Sequence, residues 1–242
     1  MATREETIRR IRRALGRPAD GSPADVKPTL PAWSPAWIMP TIPAEELLEK
    51  FEAELTKVAG VVHRAANGAE LDEILGTILT NAGATGVLLS RNPLLAELNL
   101  AARLGEGGKW GPVEMASAAE DGSLPLPREA TFAATVGITG VEFALAETGS
   151  LVVASWTEGA QLASLAPPVH VALYRRSQLV ASLDEVLEKL PVARAPEQAW
   201  PGRSVVFITG TSRTADIEQI LIRGVHGPGE VHAILVAEGC RT

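Results

Sequence analysis

Short apolar runs alternate with helical patterns along most of this chain. Four runs of valine, isoleucine and leucine lie at residues 150–155, 169–174, 204–209 and 231–237, and they are typical of buried strands. Elsewhere leucines and isoleucines recur three and four residues apart, most clearly from Leu71 to Leu79. Strands that alternate with helices build parallel sheets, so the sequence predicts an α/β fold with a mainly parallel sheet and flanking helices.

The first 43 residues differ in composition from the rest. Residues 1–17 carry six arginines against two glutamates, with isoleucines and leucine at helical spacing, which predicts a basic amphipathic helix. This helix would bind a membrane surface or an acidic partner, or it would pack on its own domain or on a second subunit with its arginines in water. Residues 18–43 hold seven prolines and two tryptophans, which predicts an extended arm lying along a surface. We expect residues 44–242 to form one α/β domain. The arm would pack on its own domain or on another subunit, giving a homo-oligomer in the second case.

The charge balance and the cysteine count exclude several classes of function. A net charge of −7 and an aromatic content of 4% argue against a nucleic-acid binder. Cys240 is the one cysteine in these 242 residues, so they cannot form a disulfide or a cysteine-ligated iron–sulfur cluster. No signal peptide or membrane-spanning run is visible in the sequence. We therefore expect a cytoplasmic protein with no cofactor or metal of its own.

Three polar, glycine-rich segments are candidates for a ligand site, at residues 137–150, 209–218 and 224–230. Because parallel sheets bind ligands at the carboxyl ends of their strands, we expect polar loops to line that crevice. The predicted ligand-binding residues are Thr139, Gly140, Glu142, Thr148, Gly149, Thr209, Gly210, Ser212, Arg213, Thr214, Asp216, Glu218, His226 and Gly227.

The segment at 209–218 has the chemistry of an anion site. Its glycine lets the backbone approach a ligand, while N–H groups, hydroxyls and the Arg213 guanidinium supply donors. It lacks the Gly-Lys-Ser/Thr ending of a nucleotide-binding P-loop. The alternative interpretation is a tight turn and helix cap, with Arg213 paired to a nearby carboxylate.

Glu147 is the candidate catalytic residue. A carboxylate between an alanine and a Thr-Gly turn can lose its hydration, which raises its pKa toward use as a general acid, general base or nucleophile. The alternative is a structural acid that bonds the turn at Thr139 and Gly140 or the loop that carries Arg213.

The histidines carry no zinc-binding pattern, since they lack H-E-x-x-H or facial-triad spacing. His170 lies in an apolar run and is interpreted as a core residue. His226 and His232 would bind a metal with Asp216 and Glu218 only if the fold gathered all four. We predict no metal site.

Two stretches of the chain resemble the LUD-domain family. They read VGITGVEFALAETGSLVVAS at residues 136–155 and FITGTSRTADIEQILIRGVHGPGEVHAILV at residues 207–236. With the strand between them, the resemblance covers roughly residues 45–237. The sequence departs from the family pattern at Ser150, where threonine is expected, at Glu142, where aspartate is usual, and at Thr211, where proline is frequent.

The resemblance implies a Rossmann-like sheet similar to that of the sugar-phosphate isomerase and CoA-transferase superfamily. In that superfamily, strand-end loops bind phosphates or CoA. By analogy, Glu147 and the loop at 210–214 would lie at that crevice. The resemblance also implies participation in the oxidation of L-lactate to pyruvate, alongside two partner proteins that carry iron–sulfur clusters.

Two hypotheses follow from the residues and the resemblance together. In the first, the chain is a non-redox subunit of a lactate-oxidising complex and binds its partners through residues 1–43 and its strand-end face. In the second, the chain is an independent enzyme or binding module for a small phosphorylated, CoA-linked or carboxylate ligand.

Overall fold

The structure is a computed structural model that describes residues 3–15, 42–116, 128–159, 161–190, 204–215 and 221–240. The chain divides into two compact units, residues 1–39 and 40–242. In the first, α1 (Arg4–Ala14) begins after Thr3, whose hydroxyl accepts a hydrogen bond from the Glu6 N–H at 3.3 Å. The predicted proline-rich arm lies outside the described residues, except for its last two.

Helices and strands alternate in the second unit. The helices are α2 (Leu47–Lys57), α3 (Gly68–Asn81), α4 (Pro93–Glu97), α5 (Leu100–Gly105), α6 (Arg128–Ala133), α7 (Ser155–Glu158) and α8 (Leu183–Lys189). The strands are β1 (Val61–Ala65), β2 (Val87–Leu89), β3 (Val113–Met115), β4 (Val136–Thr139), β5 (Phe143–Leu145), β6 (Ser150–Ala154), β7 (Val169–Tyr174), β8 (Leu179–Val180), β9 (Val205–Ile208), β10 (Arg213–Ala215), β11 (Leu221–Arg223) and β12 (Glu230–Val236).

Polar caps fix where the helices begin. Asn67 caps α3 by accepting a hydrogen bond from the Glu70 N–H at 3.0 Å. Asn92 caps α4, which has proline at its first position, and Ser182 caps α8. An Asn-Pro pair, as at 92–93, and a Ser-x-x-Glu sequence, as at 182–185, both predict the start of a helix, and the structure confirms both.

Six of the described strands form a parallel sheet in the order β1-β12-β7-β4-β2-β3. One face packs against leucines of α3, α4 and α5, through side chains such as Ile138 and Val171. The other face packs against α2, β5 and β6, through side chains such as Ala172 and Tyr174. A sheet buried on both faces explains why its central strands β7, β4 and β2 consist mainly of apolar residues.

A second, smaller sheet has the order β8-β5-β6-β9, with β6 antiparallel to both of its neighbours. A separate antiparallel hairpin consists of β10 and β11. The predicted α/β class with a parallel sheet is confirmed. The runs at 150–155 and 204–209, however, form β6 and β9 and do not belong to the parallel sheet. An apolar run indicates burial, but it does not specify which strand it pairs with.

Candidate functional site

The crevice between β2 and β4 is the topological switch point of the parallel sheet. The chain leaves β2 through α4 and α5, which pack on one face, and continues to β3. It leaves β4 through β5 and β6, which pack on the opposite face, and continues to β7. Connections that diverge in this way open a crevice at the carboxyl ends of the two strands, where open α/β sheets bind ligands.

A buried carboxyl group occupies this crevice. Glu158, the last residue of α7, is fully buried and accepts three hydrogen bonds. The Ser90 hydroxyl donates to it at 2.5 Å and the Gly140 N–H at 3.2 Å, while the side-chain amide of Asn92 donates to the second carboxyl oxygen. Ser90 directly follows β2 and Gly140 directly follows β4, so the two strand ends supply two of the three donors.

The surroundings of Glu158 favour its protonated form. Burial raises the pKa of the Glu158 carboxyl above its ordinary value, because the charged form loses its hydration. The three hydrogen bonds lower this pKa in part, and repulsion from the nearby Glu142 carboxylate raises it. Glu158 therefore keeps its proton to a higher pH than an exposed glutamate. Such a group can donate a proton or a hydrogen bond to a ligand.

A second buried polar pair lies on β4 and β7. The Thr139 hydroxyl is 2.9 Å from Nε2 of His170, and both residues are fully buried. His170 is thus a core residue, but its Nδ1 has no hydrogen-bond partner among the described residues. Burial, together with a smaller effect of the neighbouring His232, lowers the pKa of His170 to about 3. The imidazole is therefore neutral near pH 7.

Three hydroxyl groups form a row where β6 begins and β9 ends. Oγ of Ser150 lies 2.7 Å from Oγ1 of Thr148 and 2.6 Å from Oγ1 of Thr209. Gly149 and Gly210 beside them have positive φ values of 66° and 79°. Any Cβ at these positions would lie 2.1 and 2.2 Å from backbone atoms at the end of α2. Both turns therefore require glycine to pack against α2.

Glu147 contacts the start of α8. Its carboxylate accepts a hydrogen bond from the Leu183 N–H at 3.2 Å, and its own N–H donates to the Ala181 carbonyl at 3.1 Å. A carboxylate in this position satisfies one of the free N–H groups in the first turn of a helix. The partners predicted for a structural Glu147, at Thr139–Gly140 and at Arg213, are wrong, since α8 takes their place. Its catalytic role stays a prediction.

The segments at 209–214 and 224–229 meet at the amino edge of the parallel sheet. The Ser212 N–H donates to the Pro228 carbonyl at 2.9 Å, and the Gly224 N–H donates to the Ser212 carbonyl at 3.1 Å. Pro228 lies two residues before β12 begins. The expectation that the loop at 210–214 lies at the carboxyl-end crevice is wrong. Because β9 belongs to the second sheet, it delivers this loop to the opposite edge.

The predicted ligand-binding residues therefore divide between separate places. Thr139, Gly140 and Glu142 lie at or near the Glu158 crevice. Arg213 and Thr214 lie on β10, while His226 and Gly227 line an open groove of about 670 Å³. The two remaining acids, Asp216 and Glu218, lie outside the described residues.

Two cavities open at the carboxyl edge of the parallel sheet. A cavity of about 380 Å³ at the ends of β2 and β3 is lined by Arg91, Asn92 and Met115, among others. A cavity of about 440 Å³ at the ends of β1 and β12 is lined by residues that include Arg64 and Arg176. Both volumes suit a small molecule. Asn92 links the first cavity directly to the Glu158 carboxyl.

Sequence reasoning missed the central residues of the switch-point crevice. The Asn-Pro pair at 92–93 indicates only a helix cap, and Glu158 lies in a four-residue helix that no periodicity marks. Ser90 gave one usable signal, since it is the first polar residue after a buried strand.

The described histidines are not gathered into a metal site. Nε2 of His63 lies 3.1 Å from Nδ1 of His232, so these two form a hydrogen-bonded pair. Within the described ranges, no group of three histidine, cysteine, aspartate or glutamate side chains is placed to hold a metal ion. The same part of the chain contains no helix of the length and apolarity that crossing a membrane requires.

Comparison with known proteins gives consistent matches. The profile of the family described as LUD domain matches residues 48–236. A protein named lactate utilization protein C from Exiguobacterium sp. is 28% identical over 98% of this chain and 96% of its own length. Another of that name, from Halalkalibacterium halodurans, is 35% identical over 43% of this chain and 45% of its own length.

One solved structure resembles the fold. The crystal structure of a DUF162 family protein from Deinococcus radiodurans aligns with a TM-score of 0.55 and 21% sequence identity. The alignment covers 81% of this chain and 99% of that one. At this identity the likeness supports the α/β architecture alone.

Proposed function

The chain belongs to the LUD-domain family, and we propose that it is a component of an L-lactate utilization system. The name of the relative that matches along nearly its whole length supports this proposal. The reaction of such a system would be the oxidation of lactate to pyruvate. That oxidation removes two electrons and two protons from lactate, so the system needs an electron acceptor.

In this proposal the chain is a non-redox component, and partner proteins hold the iron–sulfur clusters. Such clusters are bound by several cysteine thiolates, whereas these 242 residues contain Cys240 alone. Its thiol is buried and donates to the Ala65 carbonyl at 3.4 Å, and burial raises the pKa of the thiol. Cys240 is thus a protonated, packed side chain. A chain with one reduced thiol fits the cytoplasm, where we place it.

The observation that carries a role in handling the substrate is the buried Glu158 carboxyl at the switch point. Its raised pKa lets it hold a proton where open α/β sheets bind their ligands. Arg91 and Asn92 both line the adjoining cavity, and a guanidinium is suited to pair with the carboxylate of a hydroxy or oxo acid. The proposed ligand of this crevice is accordingly a small 2-hydroxy or 2-oxo carboxylate.

Growth and co-purification test the proposed role. We expect a strain that lacks the coding sequence to fail on L-lactate as carbon source and to grow normally on glucose. The wild-type chain should restore growth. Proteins that contain iron and acid-labile sulfide should co-purify with a tagged copy of the chain from lactate-grown cells. Removal of residues 1–43 from the tagged copy tests whether the arm contributes to that contact. Normal growth of the deletion strain on lactate would refute the proposal.

A second candidate function is that of an independent enzyme or binding module at the carboxyl edge. The two cavities there favour it, because each has the volume of a small-molecule site. A thermal-shift panel of lactate, pyruvate, CoA and sugar phosphates, run on the purified chain alone, addresses this candidate. A shift that disappears in Glu158→Gln would support ligand binding at this crevice without partners. Turnover of the bound ligand would then distinguish an enzyme from a binding module.

A further inference from the structure

Two arginines lie side by side on the hairpin formed by β10 and β11. Arg213 is the register partner of Arg223, and residues directly opposite in an antiparallel pair point to the same side. Both are exposed. Among the described residues, neither guanidinium lies within ion-pair distance of a carboxylate. Like charges directly opposite each other destabilise a hairpin, because the two guanidinium groups repel each other. A bound anion would offset this repulsion.

The loops around this pair are held in place by backbone hydrogen bonds. Gly224, which follows Arg223, has a φ of 78° and turns the chain back toward Ser212, to which it donates its N–H. The Ser212 N–H in turn donates to Pro228, and the Gly229 N–H donates to the Pro168 carbonyl at 2.9 Å. These bonds connect the end of the hairpin to the amino ends of β12 and β7. The arginines are therefore presented from an anchored loop.

A groove with apolar walls begins at Arg223. It is lined by Arg223 and His226 together with Phe132, Leu165 and Val225, of which the last three are 57%, 41% and 51% exposed. One acid, Glu230, also lines the groove, and its carboxylate lies 3.7 Å from Nε2 of His232. The groove volume of about 670 Å³ lies in the range of small-molecule sites. Large apolar side chains left in water beside cationic ones suit a ligand with an anionic end and an apolar body.

We propose that Arg213 and Arg223 clamp the phosphate of an organic phosphate whose apolar or aromatic body lies in this groove. A guanidinium presents a planar set of donors that matches phosphate oxygens, and two of them on one side of a hairpin can engage one phosphate group together. His226 lies on the same loop and can supply a further donor. Phe132 lines the groove and contributes an aromatic side chain to its apolar wall. This site goes beyond the lactate role and does not depend on it.

Binding of pyrophosphate and of ADP to the purified full chain tests the phosphate clamp. Calorimetry at low ionic strength should detect both ligands, and added salt should weaken both. Arg213→Met and Arg223→Met keep an unbranched apolar stem and remove the guanidinium with its charge. We expect each to weaken both ligands by about tenfold or more, the loss of one charge-assisted contact. The control is Lys109→Met, which removes the charge of an exposed lysine that lines neither the groove nor the two cavities at the carboxyl edge, and it should change binding less than about twofold.

The groove is tested by a separate variant. If it holds the body of the ligand, ADP binds more tightly than pyrophosphate, and Phe132→Ser weakens ADP while leaving pyrophosphate unchanged. Because each arginine variant removes the repulsion between Arg213 and Arg223, neither should lower the melting temperature of the unliganded protein. An unchanged melting temperature shows that a variant that no longer binds is still folded. The proposal is overturned if the wild-type chain binds neither probe, if Lys109→Met weakens binding as much as the hairpin variants do, or if ADP binds no better than pyrophosphate. None of these outcomes bears on growth on lactate.

Discussion

Asn92 and Glu158 are joined by a hydrogen bond from the side-chain amide to the carboxylate, across 66 positions of sequence. The same Asn92 caps α4 through Oδ1, which accepts from the Leu94 N–H at 2.9 Å. One side chain thus connects the helix that leaves β2 to the carboxyl group at the switch point. Because both residues are buried, neither can exchange its partner for bulk water.

Replacing Glu158 should reveal how much these bonds stabilise the fold. Glu158→Ala leaves three buried donors without their acceptor, and we expect the free energy of unfolding to fall by about 3 kcal/mol. Glu158→Gln keeps the volume and one acceptor oxygen, so we expect a loss of about 1 kcal/mol. Urea unfolding followed by tryptophan fluorescence measures both. Equal losses in the two variants would show that the hydrogen bonds contribute little.

His170 predicts a loss of stability in acid. The unfolded chain takes up a proton on this histidine below its ordinary value of 6.5, whereas the folded chain does so only near 3. Stability from His170 is therefore complete above pH 6.5 and declines as the pH falls toward 3. Urea midpoints for wild type and His170→Asn at pH 7.5, 6 and 5 measure this. We expect a shallower decline in the variant, and parallel curves would contradict the assignment.

The glycines of the hydroxyl row should not tolerate a side chain. Gly149→Ala would place a Cβ 2.1 Å from the backbone of α2 and would also strain a positive φ, so we expect a loss of about 3 kcal/mol or more. The control is Gly83→Ala, which has a φ of 58° but no atom within 4 Å of the added Cβ. Gly83→Ala should lower the free energy of unfolding by about 1 kcal/mol, because only the backbone strain of a positive φ contributes there. Similar losses in the two variants would mean that the contact with α2 is not tight.

Glu147 can be assigned to structure or catalysis by comparing stability with activity. Its contact with α8 predicts that Glu147→Ala lowers the free energy of unfolding by about 0.5–1 kcal/mol, as for loss of a helix-capping acid. If this structural role is its only one, Glu147→Gln should leave lactate-dependent activity within about twofold of wild type. A twofold change in rate corresponds to less than about 0.5 kcal/mol in the activation free energy. A hundredfold loss of activity in a folded Glu147→Gln protein would instead establish the catalytic role.

Much of the fold could be predicted from local sequence signals. The helix at 68–81 has an unbroken apolar period and a polar cap, and the strand at 169–174 is apolar except for His170, so local and tertiary preferences agree. The strand at 150–154 is equally apolar, yet it joins the second sheet. Pairing partners depend on contacts distant in sequence, which a single apolar run does not encode.

The candidate site was harder to predict for the same reason. Glu158 and its donors come from three separate segments, and only the folded sheet brings them to one crevice. The pairing of Arg213 with Arg223 depends on the register of a short hairpin, whose strands of three residues each are too short to show an alternating pattern. The residue types in the glycine-rich loops indicated that they could bind an anion. The edge of the sheet at which these loops lie depends on the pairing of β9 with the second sheet, which the sequence of the loops does not encode.

The rate of L-lactate oxidation in cell extract tests the proposed function most directly. Extracts of a strain that lacks this chain are assayed for lactate-dependent reduction of an artificial electron acceptor, before and after addition of the purified wild-type chain. A component of the system should be required, so the rate should be near background without the chain and recover on its addition. Partner proteins that oxidise lactate at full rate in the unsupplemented extract would contradict the proposal.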